Sequence, residues 1–173
     1  LEASADGTID NVVLNASLGY THSALGKFTA VDGGELPPTA DDLPQCANGA
    51  TSQCFNFIPY QVTLTGEQNA NSPKLSAVAM LGYNVRLGNN LLTPELIGRY
   101  VAKQYTSVFQ QNNYYEMPAY GLLDAQITYV AGSWEMEGYV RNITNRLYEE
   151  GNTGSDVYYG APREFGVRVR RGF

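Results

Sequence analysis

Few residues in this chain are able to do chemistry, and they are scattered. Two cysteines, Cys46 and Cys54, stand eight residues apart in a polar stretch rich in Pro and Gly. Such a pair suits either metal ligation or a loop disulfide formed in an oxidising compartment. No other cysteine lies near, and the single histidine, His22, is too remote to complete a zinc pattern. The disulfide is therefore expected, with no metal and no cofactor. Glu135 and Glu137 share one strand face, as do Glu95, Arg99 and Lys103. Paired carboxylates can do acid–base work in a glycosidase. With cations interspersed, a hydrated, charge-balanced wall is the expected role here. His22 has no Ser or Cys pairing pattern beside it and reads as a rim residue. No helix pattern follows Gly151-Asn152-Thr153-Gly154, so that segment is a loop and not a phosphate cradle. No catalytic constellation emerges, and the chain reads as no enzyme.

The elements that carry these residues follow from composition and period. The formal net charge of -6 excludes nonspecific nucleic-acid binding, which needs a basic surface. No apolar run approaches the roughly 20 residues of a membrane helix. Eighteen Gly and 13 Tyr against one Trp point to an all-β chain with aromatic anchoring. Leu1 to Asp6 carries no signal-peptide pattern, so a removed signal or a start inside a longer polypeptide is expected.

Strict alternation recurs in six segments. On one face lie Val12, Leu14, Ala16, Leu18 and Tyr20, then Leu75, Ala77, Ala79, Leu81, Tyr83 and Val85. Leu96, Gly98, Tyr100 and Ala102 follow, then Leu123, Ala125, Ile127 and Tyr129. Trp134, Met136, Gly138 and Val140, and finally Phe165, Val167, Val169 and Phe173, complete it. The opposite positions carry Asn15, Arg86, Arg99, Asp124, Glu135, Arg141, Arg168 and Arg170. Successive strand residues point to opposite faces, so one face is apolar and the other charged. Pro94 would remove a ladder hydrogen bond, which places the start of the third strand near Glu95.

The connections discriminate a soluble sandwich from a membrane barrel. Short turns are expected at Leu87 to Asn90 and Ala131 to Ser133, with a third at Asp6 to Ile9. Long connections are expected at about 24–72, 110–118 and 144–162. Short and long alternate, so an up-and-down meander gathers all long loops at one end. Outer-membrane barrels have this asymmetry, with short periplasmic turns and long extracellular loops. On that pattern the C-terminus lies at the periplasmic end and both cysteines lie outside the cell. Tyr105, Phe109, Tyr114, Tyr115, Tyr120, Tyr148, Tyr158 and Tyr159 cluster where strands meet loops, as an interfacial girdle would.

Val140-Arg141-Asn142-Ile143-Thr144-Asn145-Arg146-Leu147-Tyr148 resembles the N-(L/I)-x-N-(K/R)-x-Y segment of TonB-dependent receptors. Tyr159-Gly160-Ala161-Pro162-Arg163-Glu164-Phe165-Gly166-Val167 resembles the closing G-x-P-R-x-(F/Y)-x-(V/L) strand of that family. Asn71-Ser72-Pro73-Lys74 and Leu14 to Thr21 are similar to two earlier family segments, in the expected order. Arg171 departs from the pattern, where an aromatic or apolar residue is common.

The resemblance implies an antiparallel, up-and-down transmembrane β-barrel of about 22 strands. Residues 1–173 would be its C-terminal portion: about the last six strands, and a stub of a seventh at Leu1 to Ala5. About eight strands is the practical minimum for closure, so the chain must pair with other strands. The simplest source is the missing N-terminal part of the same receptor, in one chain or a nicked one, which would also bring the plug. The implied function is uptake of a scarce bulky nutrient (siderophore, cobalamin or oligosaccharide), energised by the TonB complex. The alternative is a small structural or adhesive outer-membrane protein. Phe173 would be the signal read by the barrel-assembly machinery. Arg141, Arg168 and Arg170 would face the plug from the lumen, and Tyr114, Tyr115, Tyr158 and Tyr159 are candidate substrate contacts.

Overall fold

The fold is described from a computed structural model that covers residues 1–40, 42–46, 53–111 and 113–172, with the backbone alone at residue 113. Its strands are β1 (Glu2–Ile9), β2 (Val12–Tyr20), β3 (Thr29–Val31), β4 (Gln61–Thr63), β5 (Leu75–Tyr83), β6 (Val85–Leu87) and β7 (Asn90–Val101). They continue with β8 (Gln104–Tyr105), β9 (Glu116–Met117), β10 (Tyr120–Ala131), β11 (Trp134–Arg141), β12 (Glu149–Asn152), β13 (Val157–Tyr159) and β14 (Glu164–Arg171). Among the described residues there is no α-helix, only short 3-10 turns.

One antiparallel sheet forms the wall, in the order β1-β2-β5-β7-β10-β11-β14, with β6 prolonging β5 along β7. Each strand on this path pairs with the next wall strand along the chain, the strands of the long connections falling between. Opposed residues share a face, so the register lines up one apolar row from Gly7 through Leu14, Leu81, Leu96, Ala125 and Val140 to Phe165. That face is open: Phe165 is 82% exposed, Val167 78% and Leu81 52%. The buried apolar side chains among the described residues are Ala40, Cys46, Leu64 and Met117, all in the long connections. A wall without a core of its own has to bury its apolar face against something else. The sheet also leaves β1 and β14 as edges, so the barrel is not closed within this chain.

Three expectations change. The stub of a seventh strand expected at Leu1 to Ala5 extends further, as the eight-residue strand β1 (Glu2–Ile9), so the wall has seven strands. The first turn is Asp10-Asn11 and not Asp6 to Ile9. Asp6 pairs with Asn15 and Ile9 with Val12, while Asp10 takes the positive φ of 53° that Asp tolerates better than most residues. The third strand starts at Asn90, four residues before Pro94. Pro94 still acts as foreseen on one side. The β5/β6 ladder stops between Gly82↔Glu95 and Val85↔Leu92, where the missing N–H falls. Thr93 Oγ1 bridges the gap by donating to Asn84 Oδ1 at 2.9 Å.

Two-residue turns close β1–β2, β6–β7 and β10–β11, at Asp10-Asn11, Gly88-Asn89 and Gly132-Ser133. All lie at one end. At the other end each long connection builds a small sheet of its own: β3–β4, β8–β9 and β12–β13. These end connections are therefore structured and not merely slack chain.

Candidate functional site

Two surfaces hold the polar side chains: the charged face of the wall and the end built by the three long connections. On the wall, Glu137 opposes Arg168 and Glu135 opposes Arg170. Arg168 Nη1 donates to both Glu137 oxygens at 3.0 and 3.1 Å, and Arg170 Nη1 to Glu135 Oε1 at 2.7 Å. Further along, Arg99 pairs with Asp124, and Gln126 donates to Glu95. Asp124, Glu135 and Glu137 are thus each paired with an arginine on this face, and Glu95 accepts from a neutral amide. Arg141 opposes Glu164 on the same face, its guanidinium 5.4 Å from the Tyr139 ring. Arg141, Arg168 and Arg170 are so placed on one face, but the last two already have carboxylate partners within the wall. Arg171 faces the apolar side, 5.2 Å over the Trp134 ring opposite it. That stacking gives the atypical arginine a partner.

At the loop end, Cys46 and Cys54 are joined as a disulfide, with Cα atoms 5.0 Å apart. Gln45 and Phe55 bridge the same segment beside it. A cleft of about 480 Å³ opens where the three long connections meet. Gly34 and Glu35 line it from the first, Tyr114 and Tyr115 from the second, and Thr153, Gly154 and Ser155 from the third. Its frame is local. Asp32 Oδ1 accepts the Gly34 N–H at 3.0 Å, and Asn152 Oδ1 accepts the Gly154 N–H at 2.6 Å. Gly154 has a φ of +91°, which strains any residue with a side chain, and a Cβ there would stand 3.0 Å from Tyr115 Cε1, so the ring would have to give way. Burial raises the Tyr115 phenol above its ordinary value, and the Asp32 and Glu35 carboxylates add to the rise. The phenol is a neutral hydrogen-bonding group at an acidic rim.

Of the four tyrosines singled out in the sequence, the fold brings Tyr114 and Tyr115 to this cleft. Tyr158 and Tyr159 stand on β13, each more than half exposed, and do not line it. Phe173 lies outside the described residues. Gly34, Glu35 and the turn at Thr153 to Ser155 are cleft residues that sequence reasoning missed. They come from different connections, and no local pattern joins them. Lys103, beyond the end of β7, donates to Glu116 Oε2 at 3.2 Å, and this hydrogen bond raises its ammonium pKa.

A family profile described as TonB dependent receptor-like, beta-barrel, matches residues 1–143. No curated protein matches the chain. Among solved structures, the siderophore receptor PiuA of Acinetobacter baumannii superposes with a TM-score of 0.65 at 22% identity, over 97% of this chain and 20% of that one. BauA, the ferric preacinetobactin receptor of the same organism, gives 0.61 at 19% identity, over 96% and 20%. FyuA, the ferric yersiniabactin uptake receptor of Yersinia pestis, gives 0.56 at 16%, over 99% and 29%. At these identities the likeness is one of fold, and the chain spans about a fifth of the length of the first two. The likeness extends past residue 143 to the closing strand, as the coverage shows. With the sequential meander, the two unlike faces and the profile match in agreement, the chain belongs to the TonB-dependent receptor family and forms part of its β-barrel.

Proposed function

We propose that residues 1–173 are the C-terminal portion of the barrel of an outer-membrane receptor that takes up a scarce, bulky nutrient with energy delivered through TonB. The observation that carries the reading is the wall itself. Seven successive strands present one continuous apolar face and one face of paired charges. Lipid on the first face and a wet lumen on the second satisfy both. The open edges at β1 and β14 then pair with the rest of the same barrel, since unpaired backbone in lipid costs several kcal/mol per group.

In this reading the long connections are extracellular and the C-terminus is periplasmic. A disulfide in the first long connection suits the oxidising side. The cleft at Tyr114 and Tyr115 offers rigid aromatic surface to arriving cargo. The three structural neighbours are described as a siderophore receptor, a ferric preacinetobactin receptor and a ferric yersiniabactin uptake receptor, so a ferric siderophore is the first cargo class to test. Arg141, Arg168 and Arg170 face the plug, where plug carboxylates share or replace the wall partners.

The test is uptake of labelled ferric siderophores by cells that carry or lack the full-length receptor, with and without TonB. Uptake lost on deleting either gene supports the reading. Uptake that continues without TonB sinks the energised part, and no receptor-dependent uptake of any iron chelate sinks the cargo class.

A further inference from the structure

We infer that the two segments Asn142–Tyr148 and Gly160–Arg163 form a single clasp, and that this clasp sets the register of β14 on β11. The need for such a device follows from the sequence of β14. Residues 142–163 separate the two strands, and a connection of that length does not define register as a two-residue turn does. Alternation does not define it either. A slip of two residues keeps Phe165, Val167 and Val169 on the apolar face. It also keeps one of the two ion pairs, by setting Arg170 against Glu137 or Arg168 against Glu135.

The clasp removes that ambiguity. Asn142 is 3% exposed. Its Nδ2 donates to the carbonyls of Arg146 at 2.9 Å and Ala161 at 3.1 Å, and its Oδ1 accepts the Arg146 N–H at 2.8 Å. Asn145 Oδ1 accepts the Arg163 N–H at 3.0 Å. The Gly160 N–H donates to the Tyr148 carbonyl at 3.0 Å, and the Tyr148 ring occupies the place a Cβ on Gly160 would need. Asn142 and Asn145 have φ of 48° and 49°, a conformation Asn enters more readily than other side-chain-bearing residues. Both segments are thus locked to each other immediately before Glu164, which is set opposite Arg141. A two-residue slip moves β14 by about 7 Å and breaks the bonds to Ala161 and Arg163 together. The clasp is anchored in turn. Asp124 Oδ1 accepts the Asn142 N–H at 2.8 Å, and Leu123 O accepts the Ile143 N–H at 2.8 Å. A second register mark lies inside the wall, where Tyr139 covers Gly166 closely enough that a Cβ would stand 2.5 Å from its hydroxyl.

Cysteine cross-linking in the full-length receptor tests the proposal. The M136C/V169C pair reports the native register, and M136C/V167C reports a two-residue slip. In the otherwise unaltered receptor, and with N145D, which keeps the acceptor oxygen, only the native pair is expected to cross-link. With N142A/N145G the slipped cross-link is expected to rise about tenfold, and with N145G alone by less. Variants that do not assemble in cells are refolded into detergent micelles and read the same way. Native cross-links alone in both clasp variants overturn the proposal. So does a slipped cross-link that arises with Y139A and not with the clasp variants, which assigns the register to Tyr139 over Gly166.

Discussion

The carboxylate of Asp124 accepts the backbone N–H of Asn142 at 2.8 Å with one oxygen while Arg99 holds the other. Both Asp124 and Asn142 are buried. Removing the carboxylate strands a buried donor and leaves Arg99 unpaired. Asp124→Ala is expected to destabilise the barrel by about 2 kcal/mol, discounted for the half-exposed arginine. Asp124→Asn, which keeps an acceptor, is expected to cost about half as much. Urea titration of the purified receptor followed by gel mobility without boiling measures both.

The assignment of faces predicts an asymmetry between two arginine substitutions. Leu96 sits mid-strand on the apolar face, between Leu81 and Ala125. Leu96→Arg is expected to cost about 2–4 kcal/mol in a bilayer. Thr128, opposite Glu137 on the charged face, is expected to tolerate Arg at a cost below about 1 kcal/mol. Equal costs in folding into lipid vesicles would refute the proposed lipid contact.

At the cleft, any side chain on Gly154 must displace Tyr115 or strain a backbone at φ +91°. Gly154→Val is expected to weaken cargo binding about tenfold and to leave the wall intact. Tyr115→Phe, which keeps the ring, is expected to weaken it less. Quenching of tyrosine fluorescence by a ferric siderophore gives the affinities. Unchanged binding by Gly154→Val would remove the cleft from the cargo path.

Lys103 supplies a pH signature outside the wall. Its hydrogen bond to Glu116 raises the ammonium pKa above 10.5, so the tie is fully present below 10.5 and is lost as pH rises through the raised value. Amine acylation needs the neutral amine. Lys103 is therefore expected to label more slowly at pH about 9 than exposed lysines, and Glu116→Gln is expected to narrow the difference, with Tyr105 holding the remainder. Mass spectrometry of the labelled peptides reads the rates.

The Cys46–Cys54 bond closes a small loop within the first long connection. Cys46→Ser with Cys54→Ser is expected to loosen that segment by about 2 kcal/mol and not to move the barrel's melting temperature, since no wall strand is crossed. Limited proteolysis around residues 40–60 against whole-barrel unfolding separates the two effects.

Alternation made the wall legible in the chain. Period two assigned Leu14, Leu81, Leu96 and Phe165 to one face and Arg99, Glu135 and Arg168 to the other. Which faces are apolar is a property of each strand alone, and the disulfide pair could likewise be read from two nearby cysteines. Other features depended on pairing across the chain. Asp6 to Ile9 looked like a turn until its partners Asn15 to Val12 claimed it. The seventh strand showed in the sequence only as a stub at Leu1 to Ala5, and its extent to Ile9 came from those partners. The cleft joins Gly34, Tyr115 and Gly154 from three connections, and the clasp joins Asn145 to Arg163. Such contacts are set by where the wall brings the connections together, and local propensity carries no term for distant backbone atoms. The asparagines at 142 and 145 marked a family in the sequence. Only the tertiary structure showed that their amides close a strand register, because hydrogen-bond partners there lie up to 19 residues away.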